Sequence, residues 1–160
     1  MKKCFVVVLA GALSLCLCAC GGQKEPEYAQ FSVQTVMDDL MTQVTVDDPF
    51  VMNENDLLDF FGIQKTDWEE FAAVTCGNGI SAQEIVLVKA VDEDSAETVQ
   101  EKLDDRLESR AAQAKDYLPE EYEIIQACET TRHGVYVSMI VHPEHEELEE
   151  LYLSYVNGEK

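Results

Sequence analysis

Residues 84–91 read Glu-Ile-Val-Leu-Val-Lys-Ala-Val, and the run Ile85–Val88 is apolar at four successive positions. Because successive side chains of a β-strand point to opposite faces of the sheet, a run that is apolar on both faces is typical of a strand covered on both sides. We therefore predict a central strand here. Trp68–Cys76 precedes it across the turn signal Gly77-Asn78-Gly79, which predicts a first β-hairpin.

A second hairpin is predicted near the other end of the chain. Tyr122–Thr130 and Val135–Val141 would be its strands, joined across Thr131–Gly134. Gly134 suits this turn because glycine adopts the left-handed backbone conformation that tight turns need.

Four segments carry apolar residues at helical spacing. They are residues 33–44, 55–61, 94–118 and 143–157. Ser32 is placed to cap the first helix, Gly62 to stop the second, and Asp94 with Glu97 to form a capping box on the third, which Pro119 ends. The predicted order is α-α-β-β-α-β-β-α. We expect an α+β domain with one antiparallel sheet of about four strands and helices packed on it.

The first residues are typical of a signal peptide. Lys2 and Lys3 are followed by an apolar run over residues 5–17, which is shorter than the roughly 20 residues needed to cross a bilayer. Residues 1–19 are therefore predicted to be a leader that is removed on export.

The predicted cleavage site is Leu17-Cys18-Ala19-Cys20, which resembles the bacterial lipobox. Cleavage between Ala19 and Cys20 would leave the Cys20 thiol to carry a diacylglycerol, and two acyl chains give stable membrane anchoring. A plain signal peptide and an uncleaved anchor are the alternatives. Residues 20–29 are expected to form the lipidated cysteine and a flexible tether, and residues 30–157 a single domain.

The formal net charge is −21, and loss of Lys2 and Lys3 with the leader makes it two units more negative. Such a surface repels nucleic acid and anionic lipid headgroups, so we exclude nucleic acid as a partner. The charge is interpreted either as solubility at the cell envelope or as recruitment of cations or a basic partner.

Several segments together resemble domain of unknown function 4358, an uncharacterised family of lipoproteins from Gram-positive, Clostridia-type bacteria. They are residues 79–90, Arg106 with Arg110, residues 117–120 and residues 134–137. The resemblance spans roughly residues 31–156 and implies a lipoprotein outside the cytoplasmic membrane. The family has no established activity, so the resemblance implies no catalytic residues. The acidic segment 142–147 departs from the family pattern.

The six cysteines do not indicate a disulfide scaffold. Four belong to the leader or its cleavage site, which leaves Cys76 and Cys128 in the domain. Three interpretations remain open: buried free thiols, a disulfide, which export would permit, or a reactive thiol.

Two groups of residues could support catalysis or bind a metal. Cys76 with His133 could act as a Cys-His hydrolase, but no hydrolase signature surrounds either residue. His142 and His145, with nearby acids, could bind zinc, but Pro143 gives the two histidines different backbone geometries and a solvated, acid-rich first turn is favoured. We predict no catalytic residue, metal or cofactor.

Aromatic residues are interpreted mainly as core and edge positions, with a ligand groove as the alternative. They are Trp68, Phe71, Tyr117, Tyr122, Tyr136, Tyr152 and Tyr155.

We expect a non-enzymatic lipoprotein on the extracytoplasmic face of the cell membrane that binds an envelope protein or ligand. An extracytoplasmic enzyme with a Cys/His or acid-histidine site, and a structural subunit of a membrane complex, are the alternatives.

Overall fold

The computed structural model describes residues 28–160, so the predicted leader 1–19, its cleavage site at Ala19–Cys20 and most of the tether 20–29 lie outside the described residues. Ten elements follow in chain order. They are α1 Val33–Gln43, β1 Pro49–Val51, α2 Glu54–Phe61, β2 Trp68–Cys76, β3 Glu84–Ala90, α3 Glu93–Ala114, α4 Pro119–Ala127, β4 Thr130–His133, β5 Tyr136–Val141 and α5 His145–Val156.

The strands form one antiparallel sheet in the order β1-β2-β3-β5-β4. The predicted α+β class is confirmed, and β3 is the central strand. Ile85 and Leu87 point to one face of the sheet and Val86 and Val88 to the other, and all four are fully buried. Each buried aliphatic side chain contributes about 1.5–3 kcal/mol to stability. Because its side chains point to both faces, β3 contributes to the cores on both sides of the sheet.

Helices cover both faces of the sheet. The core cluster with Ile85 and Leu87 draws its helical residues from α1 and α5, whereas the cluster with Val86 and Val88 draws them from α2, α3 and α4. The result is a three-layer arrangement with the sheet in the middle.

The predicted strand Tyr122–Thr130 is wrong, because residues 119–127 form the helix α4. The second hairpin is present, but its first strand is β4, which includes residues 131–133 of the predicted turn, so the turn is shorter and lies at Gly134 and Val135. Pro119 is the first residue of α4 rather than a terminator, a position that suits its fixed backbone angle and missing N–H. Ile125 is buried with Ala111 and Ala114 of α3. Packing against α3 therefore outweighs the strand preference of this aromatic and β-branched segment.

Two further details differ from the prediction. A fifth strand, β1, lies at the edge of the sheet, with the N–H of Met52 donating to Ala73 O at 3.0 Å. The order is thus α-β-α-β-β-α-α-β-β-α. The cap of α3 is Asp92, which accepts from the N–H of Ser95, so the Asp94 capping box is wrong.

The last two residues of the expected tether contact the domain. The N–H of Ala29 donates to Val156 O at 3.1 Å, and the Tyr28 ring lies against Gly134 and edge-on to His133. We call this end of the sheet, which carries the β4–β5 turn, the turn end. The opposite end, where loop 77–83 joins β2 to β3, is the loop end. No helix within residues 28–160 has the length and hydropathy that crossing a membrane requires.

Candidate functional site

A buried ion pair anchors α3 to the loop end. Glu84, the first residue of β3, is 1% exposed, and its carboxylate accepts from Arg106 Nη2 at 2.8 Å and Arg106 Nε at 3.1 Å. Arg110 Nη1 lies 3.7 Å from the same carboxylate. Two parallel hydrogen bonds fix the guanidinium orientation as well as its charge. The network therefore sets the position of α3 along the sheet.

Loop 77–83 is fixed by contacts with α3, α4 and its own Asn78. Arg110 donates to Ser81 O at 3.1 Å, and the N–H of Ala82 donates to the carboxylate of Glu121 on α4. The N–H of Ile80 donates to Asn78 Oδ1 at 2.8 Å, which is a local turn that asparagine favours. Ile80, at the tip, is consequently held in an exposed position.

The corner between α3 and α4 lies beside this loop. The N–H groups of Tyr117 and Leu118 both donate to Ala114 O, which turns the chain tightly before Pro119 begins α4. Ile80 and residues 117–121 line an open surface depression of about 300 Å³. Tyr117 is 85% exposed and Ile80 63%, so two large apolar side chains flank an accessible cavity.

A second depression of about 370 Å³ lies farther along α4. Its lining residues are Glu120, Glu123, Ile124, Ala127, His142, Pro143 and His145. Since Glu120 lines both depressions, they meet at the first turn of α4, and we call the pair the α4 trough. Acids line it, but no lysine or arginine of the described chain does so.

His142 is buried where the trough meets the end of β5. Its Nδ1 lies 2.7 Å from Oε2 of Glu144, and its Nε2 lies 3.4 Å from Thr45 O. His145 Nδ1 is instead 3.5 Å from Oε1 of Glu149. The two histidines thus face different carboxylates, and within residues 28–160 no cluster of three or more side chains suited to binding a metal ion is found.

Cys76 and Cys128 are both buried free thiols. Cys76 belongs to the core on the α1–α5 face of the sheet and Cys128 to the core on the α3 face. Burial raises the pKa of the Cys128 thiol to about 11. Cys128 is therefore protonated near neutral pH, and a protonated thiol is a poor nucleophile.

Cys76 and His133 lie at opposite ends and near opposite edges of the sheet. Three strand spacings separate β2 from β4, which is about 14 Å across the sheet. His133 is level with Glu70 through the pairing of β4, β5, β3 and β2, six residues or about 20 Å along β2 from Cys76. A Cys76–His133 dyad is therefore not formed.

The predicted aromatic residues divide into two groups. Trp68, Tyr136, Tyr152 and Tyr155 are buried, and Phe71 and Tyr122 are half-buried against the core, whereas Tyr117 faces solvent at the trough.

Sequence reasoning missed the Glu84 network. Two signals indicate it: a carboxylate that begins an otherwise apolar strand, and two arginines four residues apart, which share one face of a helix. The trough was missed because it depends on α4, most of whose residues were predicted to form a strand.

Neither a curated protein nor a solved structure matches this chain. The family model described as "Domain of unknown function (DUF4358)" matches residues 45–142. That match covers more than half of the chain, including all five strands and the first depression of the trough. It confirms the resemblance found in the sequence: the chain belongs to the DUF4358 family.

Proposed function

We propose that this protein is an extracytoplasmic lipoprotein, anchored through Cys20, whose domain is a non-enzymatic binding module. The α4 trough is its docking surface. One observation supports this most: Tyr117 and Ile80 are exposed although the backbone beside each is held by hydrogen bonds. Beside Ile80, Arg110 donates to Ser81 O and the N–H of Ala82 donates to Glu121, and the N–H of Tyr117 donates to Ala114 O.

An apolar side chain exposed to solvent on a backbone that is held in place is suited to binding. Aromatic residues are enriched at protein interfaces, and a few of them dominate the binding energy. A surface that is already ordered loses less conformational entropy when a partner docks. Loop 77–83 and the α3–α4 corner meet both conditions.

The entry point of the chain supports this arrangement. Residues upstream of Tyr28 lead toward the predicted anchor at Cys20, and Tyr28 lies at the turn end. The trough lies at the loop end, which is separated from the turn end by the seven residues of β3, or about 23 Å. An anchor at Cys20 would thus leave the trough open to partners beyond the membrane.

The anchor is tested with Cys20→Ala in cells given a labelled fatty acid. We expect the wild-type protein to carry label and to sediment with membranes, and the variant to do neither. Cys18→Ala, which removes the neighbouring thiol, is the matched control and should behave as the wild type. Normal labelling of Cys20→Ala would contradict the anchor.

The docking surface is tested by placing a photo-crosslinking amino acid at single exposed positions of the lipidated protein in its own membranes. Tyr117 is the trough position, and Val51 and Val91 are exposed apolar positions elsewhere. We expect one dominant adduct from position 117. Absence of any adduct from all three positions would refute a binding module.

A further inference from the structure

We infer that the α4 trough binds a polypeptide segment in which basic side chains lie next to apolar ones. This inference rests on the proposed function and narrows the partner to one chemical class.

The charge of the trough selects for a basic partner. Glu120 and Glu123 are exposed and line the trough. Glu121, at the edge of loop 77–83, is half-buried and accepts from the N–H of Ala82. The two exposed carboxylates are therefore available to an incoming ammonium or guanidinium group, and complementary charge speeds association and excludes wrong partners.

The shape of the trough selects for a chain rather than a point charge. Its two depressions are joined at Glu120, so the surface follows α4 from Tyr117 to His145. The nine residues of α4 rise by about 13 Å, the length of about four residues of extended chain. Apolar side chains of such a segment would contact Ile80 and Tyr117 while its basic groups face Glu120 and Glu123.

Charge disfavours three other occupants. A second copy of this chain would bring another net charge of −21, and nucleic acid and anionic lipid carry the same sign. A neutral glycan stacked on Tyr117 would make no use of the carboxylates. A basic, partly apolar polypeptide fits both features of the trough.

The test compares two double variants that remove the same charge. Glu120→Gln with Glu123→Gln neutralises the trough, whereas Glu97→Gln with Glu101→Gln neutralises two exposed acids of α3. Each pair is made in the lipidated protein that carries the photo-crosslinker at position 117. We expect the trough pair to lower the adduct yield about fivefold, since two exposed ion pairs are worth about 1 kcal/mol together. The α3 pair should change the yield less than about twofold.

Mass spectrometry of the adduct identifies the bound segment, which must contain lysine or arginine beside apolar residues. An adduct with a second copy, a lipid or a glycan would overturn the inference, and so would an equal loss of yield in both double variants. An adduct confined to positions 51 or 91 would overturn it, and with it the α4 trough as the docking surface, while leaving the proposal of a binding module intact. Absence of adducts from all three positions would overturn both.

Discussion

The two ends of the sheet differ in whether another segment of the described chain covers them. At the turn end the chain covers its own turn: the Tyr28 ring lies on Gly134, and the N–H of Ala29 donates to Val156 O. At the loop end no comparable segment of the described chain covers Ile80 or Tyr117. The contacts there hold the backbone of the loop and leave the apolar side chains in solvent.

This difference separates residues that stabilise the fold from residues that are exposed for binding. At the turn end an aromatic ring contributes to stability by covering the β4–β5 turn. At the loop end the stabilising groups are the buried Glu84 and the half-buried Arg106 and Arg110. The exposed residues above them are therefore free to contribute to binding. Stability measurements can test this division of roles.

Among substitutions at the loop end, Glu84→Gln should produce the largest effect, because it leaves the half-buried Arg106 without its counter-charge. Removing one member of a buried ion pair costs about 3–5 kcal/mol, and we expect a loss of this size in the free energy of unfolding measured with urea. Glu69→Gln is the matched control: it breaks the ion pair with Lys89 but Glu69 is half-exposed, so it should cost about 1 kcal/mol or less. Equal losses would show that the Glu84 network does not hold the loop end.

Gly134→Ala compares the two ends directly with Gly79→Ala. Both glycines have positive φ, +59° and +72°, but an added Cβ at Gly134 would lie 2.8 Å from the Tyr28 ring, whereas nothing lies within 4 Å at Gly79. Each substitution should cost about 1–2 kcal/mol for the backbone, with an additional loss at Gly134 alone. In a Tyr28→Ala background this additional loss should disappear. If it persists, Tyr28 does not cover the turn.

The parts of the fold governed by local rules were predictable. The N-cap at Ser32, the stop at Gly62 and the buried strand around Val86 each follow from neighbouring residues, and each is present. The helix α4 was missed, because Tyr122 and Ile125 favour strands; the local signals for a helix are Pro119 at its first position and the acids Glu120 and Glu121 in its first turn.

The candidate site was harder to predict from the sequence than the fold, because it depends on contacts between distant residues. Tyr117 and Ile80 are 37 residues apart in the sequence, and they line one depression only because α4 follows α3 at a tight corner. The Glu84–Arg106 pair likewise depends on the alignment of a helix with a strand. The periodicity of apolar residues shows which face of a helix or strand is buried. How far two packed elements are shifted along each other is instead set by side-chain packing.

His133 tests how completely the turn end is closed. Burial lowers the pKa of His133, so between its folded pKa and its unfolded value of about 6.5 the unfolded chain binds more protons. The contribution of His133 to stability is therefore fully present above pH 6.5 and decreases as the pH falls toward the folded pKa. His133→Phe should remove this decrease, measured as the wild-type minus variant difference in unfolding free energy from pH 8 to pH 5. Tyr28→Ala should reduce the decrease by admitting water, and an unchanged decrease would contradict closure by Tyr28.

Tyr117→Ala should have the smallest effect on stability, because an 85% exposed ring has little packing to lose, and surface substitutions usually change stability by within about 0.5 kcal/mol. Tyr136→Ala is the informative counterpart: Tyr136 is 1% exposed and stacks on Phe31 with ring centroids 4.0 Å apart. Truncation of such a ring costs about 3–5 kcal/mol. A loss above about 1 kcal/mol for Tyr117→Ala would show that this ring also supports the fold. If Tyr117→Ala leaves the free energy of unfolding nearly unchanged but abolishes the photo-adduct formed by a crosslinker placed at Ile80, then Tyr117 contributes to partner binding and not to the stability of the fold.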